Sequence, residues 1–203
     1  MTYVLLTNLF GTFVFATSGA ALAMQRKFDL FGVLVLAAVT ALFGGVAGDI
    51  LIGTLPPDVV RSWHACAVAL AAGLLTFVGR PLLDRIRQPV LLFDALGLGL
   101  FAVTGAQKAI VFGIDPPMAA LLGMTTGIAG GMLRDLLVAR VPIILRTDIY
   151  AVAALAGSTI VAIGAWLHWA PCPTMVIGAI VCVSLRLLAM YRHWALPGAS
   201  TTE

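Results

Sequence analysis

Charge is what this sequence has little of. Only 10% of its 203 residues are Asp, Glu, Lys or Arg, while 61% are hydrophobic. Soluble domains carry about 25% charged residues. A soluble chain of this length leaves much of its surface in water, and here there is too little polar side chain to cover it. The shortage excludes a soluble globular protein and a nucleic-acid binder with it. Twelve basic against nine acidic residues leave a net charge of only +3, which reads as loop charge that sets membrane topology. Cysteine is scarce as well. Cys66, Cys172 and Cys182 are odd in number and form no Cys-x-x-Cys pair, so they read as small apolar packing residues, not as disulfides or metal ligands. The three histidines, His64, His168 and His193, are scattered. A phosphate-binding Gly-x4-Gly-Lys-Ser/Thr loop, a His-Glu-x-x-His pair and a Ser-His-Asp set are all missing. No enzyme activity, cofactor or metal is expected.

Long apolar runs are what the sequence does have. A bilayer-spanning helix needs about 20 residues, and seven such runs occur, near residues 4–24, 30–52, 60–79, 90–110, 117–138, 149–169 and 174–190. Short connections hold most of the charges and prolines, and no stretch is polar enough for a separate soluble domain. The expectation is one all-α integral membrane domain over residues 1–203. The first run has no basic residue before it and does not read as a signal peptide. One set of connections, with the C-terminal side, collects Arg26, Lys27, Arg80, Arg85, Arg87, Arg140, Arg146 and Arg192; the other holds Arg61 and Lys108. By the positive-inside rule the first set is cytoplasmic, which puts the N-terminus outside and the C-terminus inside. Trp63, Trp166, Trp169 and Trp194 fall near predicted helix ends, where interfacial tryptophans sit.

An internal repeat organises these runs. Shifting the sequence by 86 residues aligns residues 4–67 with 90–153 without a gap, with nineteen identities in sixty-four pairs. Asp29 falls on Asp115, Thr40 on Thr126, Gly44-Gly45 on Gly130-Gly131, Asp49 on Asp135 and Pro56 on Pro142. Each copy holds three spans, and an odd number inserts the second copy upside down. The predicted fold is seven transmembrane helices: inverted three-helix repeats over 4–79 and 90–165, then a seventh helix over 174–190.

The shared motif is Gly-Gly-x-x-x-Asp in spans two and five. Paired glycines weaken a helix, and broken helices at matching positions of inverted repeats frame midplane ion sites. If both spans break at the glycines, their half-helix carbonyls face a common cavity with the negative ends of their dipoles. Thr40, Thr125 and Thr126 stand close enough to add hydroxyl oxygens. Close helix packing is the other reading of the glycines. Asp49, Arg134 and Asp135 are intramembrane charges, costly and therefore candidates for function. Arg134 replaces Gly48 of the first copy, so the repeat is asymmetric by one arginine, and two acids with one base predict a net negative path. Asp49 is expected to pair across the repeat or to face the ion; Arg134 is expected to pair with an Asp or to snorkel to the interface. Lys108 is a candidate gating or vestibule residue, with snorkelling as its simpler role. Asp94, matched to Asn8, reads as an interfacial acid. Thr17, Ser18 and Thr104 read as hydroxyls bonded to their own helices. The candidate ion pathway is therefore Thr40, Gly44, Gly45, Gly48, Asp49, Thr125, Thr126, Gly130, Gly131, Arg134 and Asp135.

With the repeat layout, Gly-Gly-Met-Leu-Arg-Asp at 130–135 makes the chain resemble the bacterial branch of the trimeric intracellular cation (TRIC) channels, whose sequences also carry a glycine-transporter domain name. The resemblance runs from about Val4 to Arg192. Gly48 departs from it in the first copy, and residues 43–49 lack the lysine and glutamate with which animal members bind phosphoinositide. The resemblance implies an inner-membrane homotrimer with a pore in each protomer, conducting K+ and less selectively Na+ and lined by kinked spans two and five. The alternative from the residues is a secondary transporter of a small solute such as glycine. A packing-only membrane scaffold is a third class, which the duplicated Asp argues against.

Overall fold

The computed structural model describes residues 2–83, 85–86, 88–145 and 149–192. Arg87, Arg146, His193 and Trp194 lie outside the described residues. All regular structure in the described residues is helical: α1 (Thr2–Gln25), α2 (Leu30–Ile52), α3 (Asp58–Arg61), α4 (His64–Val78), α5 (Arg80–Leu83), α6 (Pro89–Val111), α7 (Pro116–Leu137), α8 (Ile149–Trp166) and α9 (Pro171–Arg192), with a 3-10 turn at Ile143–Leu145. Five of them, α1, α2, α6, α8 and α9, are long and apolar enough to cross a membrane. The other two long ones are less so: α4 has 15 residues, and α7 carries Arg134 and Asp135. Large apolar side chains point outward, among them Phe31 at 75% and Trp166 at 73% exposed, as a lipid-facing surface requires.

Several boundaries differ from the sequence reading. The expected span over 60–79 is interrupted at Ser62, whose extended backbone (φ −140°, ψ 125°) separates α3 from α4. The sixth stops at Trp166, before His168 turns left-handed at φ 57°. The seventh begins at Pro171, because proline is well suited to a helix's first turn.

The 86-residue repeat extends to the backbone. Within the repeats, four left-handed residues fall in two matched pairs, Lys27 with Gly113 and Gly53 with Ala139. After α2 the Thr54 N–H bonds the Asp49 carbonyl at 2.8 Å; after α7 the Arg140 N–H bonds the Asp135 carbonyl at 2.9 Å. Glycine suits the left-handed position at 53, whereas alanine at 139 is strained there, so the turn is kept where the residue is not. Helix α1 packs on α2 and α4 as α6 packs on α7 and α8, with α1 against α6 and α2 against α7 in the middle; α9 packs on α6 and α8. At the centre, matched Phe15 and Phe101 stack with ring centroids 5.3 Å apart.

The expected helix breaks are absent. Both α2 and α7 are continuous α-helix through their glycine pairs, so no half-helix ends inside the bundle. The glycines serve close approach instead. A methyl group at Gly44 would collide with the Thr126 carbonyl oxygen, and one at Gly130 with the Thr40 carbonyl oxygen. Thr40 lies by Gly130 and Gly44 by Thr126, so the two helices cross antiparallel, with Asp49 and Asp135 toward opposite ends.

Candidate functional site

Each of these two ends holds one polar cluster, built on the same frame. The carboxylate at the end of α2 or α7 accepts a backbone N–H from beyond the following turn. Asp49 Oδ2 accepts from Asp58 at 2.8 Å, and Asp135 Oδ2 accepts from Ile143 at 3.0 Å. The first role of the duplicated acid is thus to hold the chain where it leaves the helix.

The two ends are filled differently. At the α2 end, Lys108 reaches over from α6 and donates to Asp49 Oδ1 at 2.5 Å and to Asp58 Oδ2 at 2.6 Å. Asp49 therefore pairs with the other repeat, and Lys108 is a bridge between two acids, not a free snorkelling amine. The three residues of this bridge, Asp58 the most exposed of them, line a cavity of about 470 Å³ between α1, α2 and α6, bordered also by α3, α4 and Thr126 of α7. Its lining is mostly apolar, with Asn8, Thr12, Thr104, Gln107 and Thr126 among the polar residues; Gly45 faces open space, whereas Gly48 lies against the Thr126 hydroxyl. Arg61, which donates to the Leu55 carbonyl at 2.9 Å, and His64 complete the rim.

At the α7 end the side chains close up. Arg134 is fully buried (0% exposed), as is Asp94; these values exclude both the snorkelling arginine and the interfacial acid. The Arg134 guanidinium donates through Nη1 to Asp94 Oδ1 at 2.7 Å and to Ser18 Oγ at 2.7 Å, and through Nε to Asp135 Oδ1 at 3.0 Å. Ser18 passes its own proton to the Val90 carbonyl of α6 at 2.9 Å and not to its own helix. Burying an arginine is tolerable only with such pairing. Beside this cluster, Arg186 of α9 lies 4.9 Å over the Tyr150 ring, a cation-π contact, and is itself 2% exposed.

The proposed pathway residues are therefore divided. Gly45, Gly48, Asp49, Thr126 and Lys108 line the cavity. Gly44, Thr40 and Gly130 sit in the α2–α7 crossing, and Gly131 lies against Tyr150 and Asp94. Arg134 and Asp135 belong to the buried cluster, and Thr125 is half-buried with its hydroxyl on the Leu121 carbonyl at 2.8 Å. Thr40 and Thr126 likewise donate to Leu36 and Leu122, at 2.6 and 2.7 Å; Thr17 and Thr104 bond their own helices as expected. Asp49 and Asp135 do not share one path: they are paired separately at opposite ends, each in a group of two carboxylates around one cation. Of the cysteines only Cys182 is buried; Cys66 is half-buried and Cys172 exposed. Asp58, Tyr150 and Arg186 were missed from the sequence, although an arginine inside the seventh apolar run was signal enough.

The profile of the glycine transporter family matches this chain twice, over residues 5–81 and 91–166. A UPF0126 membrane protein of Deinococcus radiodurans is 41% identical over 92% of this chain and 87% of its own length. The UPF0126 inner membrane protein YadS of Escherichia coli K12 is 36% identical over 97% and 96%. The chain belongs to the UPF0126 glycine-transporter family. Among solved structures it is similar to a TRIC cation channel at TM-score 0.87 and 34% identity, covering 98% of both chains. It is likewise similar to the TRIC trimeric intracellular cation channel orthologue from Rhodobacter sphaeroides, at TM-score 0.90 and 31% identity, over 96% of this chain and 100% of that one. The resemblance noted at 130–135 thus extends to the whole UPF0126 chain, which is a membrane protein of the TRIC fold.

Proposed function

We propose that this protein is a cation channel of the bacterial inner membrane, permeable to K+ and less selectively to Na+, with a route through each protomer of a homotrimer. The observation that carries the reading is the cavity at the α2 end, bounded by both repeats, mostly apolar with a few hydroxyl and amide residues in its lining, and holding a pair of carboxylates bridged by Lys108. Hydroxyl and amide oxygens replace part of a monovalent ion's water shell without holding it tightly, which conduction requires. The matched turns and the antiparallel α2–α7 crossing support inverted repeats over 4–79 and 90–165, with α9 outside them. The same pattern supports seven spans, and the loop charges support a periplasmic N-terminus and a cytoplasmic C-terminus. The cavity then opens to the periplasm, and the Arg134 cluster faces the cytoplasm. Lines of support for the trimer and for cations are the channels this chain is similar to.

The test is purified protein in a planar bilayer under symmetric KCl. Discrete unitary currents are the expected result. Saturable, gradient-coupled glycine uptake without such currents would overturn the reading in favour of a secondary transporter.

A further inference from the structure

The cavity at the α2 end has a character that ion passage alone does not call for. Its lining is mostly apolar, with Val4, Leu9, Leu42, Val46, Phe101 and Phe112 in it. At about 470 Å³ it falls in the size range of pockets that enclose a small organic molecule. Asp49 and Asp58 bring two carboxylates to one ammonium, that of Lys108. Arg61, the other lysine or arginine of the lining, is exposed and bonds the Leu55 carbonyl at 2.9 Å, so the bridge itself carries one net negative charge. Thr54 supplies a second, independent mark. It lines the cavity, is only 8% exposed, and its hydroxyl oxygen has no partner among the described residues. A buried hydroxyl left so costs free energy unless something in the cavity bonds it. Its backbone N–H bonds the Asp49 carbonyl at 2.8 Å, which ties it to the residue that carries the first carboxylate.

We propose that this cavity is a binding site for an amphipathic organic cation, a compact hydrocarbon body that carries one primary ammonium. Lys108 shows the chemistry within the chain, since it is an ammonium on an apolar stem laid across the same two acids. A free amine of this class sets its ammonium at the Asp49–Asp58 pair in place of Lys108, donates its third N–H to the Thr54 hydroxyl, and lays its hydrocarbon on the apolar wall. Three donors then meet three acceptors, and apolar surface leaves water. The displaced Lys108, whose side chain is already 22% exposed, turns to water. An anion of the same shape meets two carboxylates, and a neutral molecule has no charge to set against them. The site rests on the cavity and its charges; the channel reading enters only in the consequence, that an occupant there obstructs the route.

The probes are three adamantanes that share one body: 1-adamantylammonium, 1-adamantanol and 1-adamantanecarboxylate. Each is titrated calorimetrically into the full-length protein in lipid nanodiscs, with empty nanodiscs subtracted. The ammonium should bind at least about tenfold more tightly than the alcohol, the size of one partly screened charge pair, and the carboxylate should not bind measurably. Asp58→Asn should remove most of that preference and leave the alcohol's affinity unchanged. Lys108→Met, which takes away the competing ammonium, should tighten the ammonium about tenfold and not the alcohol. Thr54→Val should weaken the ammonium about fivefold. Gly45→Leu, whose side chain enters the open space beside position 45, should abolish binding of ammonium and alcohol alike; should that variant fail to fold, Asp58→Asn and Lys108→Met decide the matter. Equal affinities for the three compounds, or an ammonium preference that survives Asp58→Asn or ignores Lys108→Met, overturns the proposal. So does the absence of any heat beyond that of empty nanodiscs. Ammonium binding as expected in a protein without unitary K+ currents keeps the site and rejects the channel.

Discussion

The α2 end and the α7 end have the same turn, the same capping acid and a left-handed residue at the same place, Gly53 in one and Ala139 in the other, yet one is a cavity and the other a packed core. Asp49 is answered by a long amine from another helix that stays near the rim; Asp135 is answered by its immediate neighbour, whose guanidinium fills the interior. The comparison shows that the duplicated acid carries the architecture, while its counter-charge settles whether there is space.

The largest expected effect breaks the packed end. Arg134→Ala leaves Asp94 and Asp135 buried without their cation and should destabilise the protein by about 3–5 kcal/mol, read as thermal unfolding in detergent. Arg134→Ala with Asp94→Asn should recover much of that loss. Full stability of the single variant would mean that water already reaches the cluster.

Next come the glycines, which the comparison separates by role. Gly130→Val drives a side chain into the Thr40 carbonyl and should cost about 1–3 kcal/mol. Gly45→Ala meets nothing within 4 Å and should be neutral or slightly stabilising, since alanine is the better helix former. Equal losses at both positions would restore the helix-break reading. A smaller effect sharpens the mouth. Asp49→Asn should lower single-channel K+ conductance about threefold and Lys108→Met should raise it by a similar factor, the size expected for one charge near the path in water. Thr40→Val should change stability by no more than about 1 kcal/mol, because its hydroxyl serves only its own helix.

The composition and the apolar runs made the seven long helices legible, and the repeat made the matched positions legible. The partners were not. Arg134 joins Ser18 and Asp94 across three helices, and Lys108 joins Asp49 across 59 residues; sequence symmetry relates equivalent positions but not which side chains meet across the pseudo-axis. The glycine pair was ambiguous for a related reason. A helix break and a close crossing need the same residue, and only the Thr40 and Thr126 carbonyls on the facing helix select between them. Arg186 went unread because α9 lies outside the repeat and has no counterpart to draw notice to it.

The central claim is cation passage through the protomer, and the reversal potential of the reconstituted protein in a KCl gradient tests it most directly. The account predicts a reversal potential close to the K+ equilibrium potential, with Lys108→Met moving it no further from that value. A reversal near zero, or toward the Cl− equilibrium potential, would contradict it.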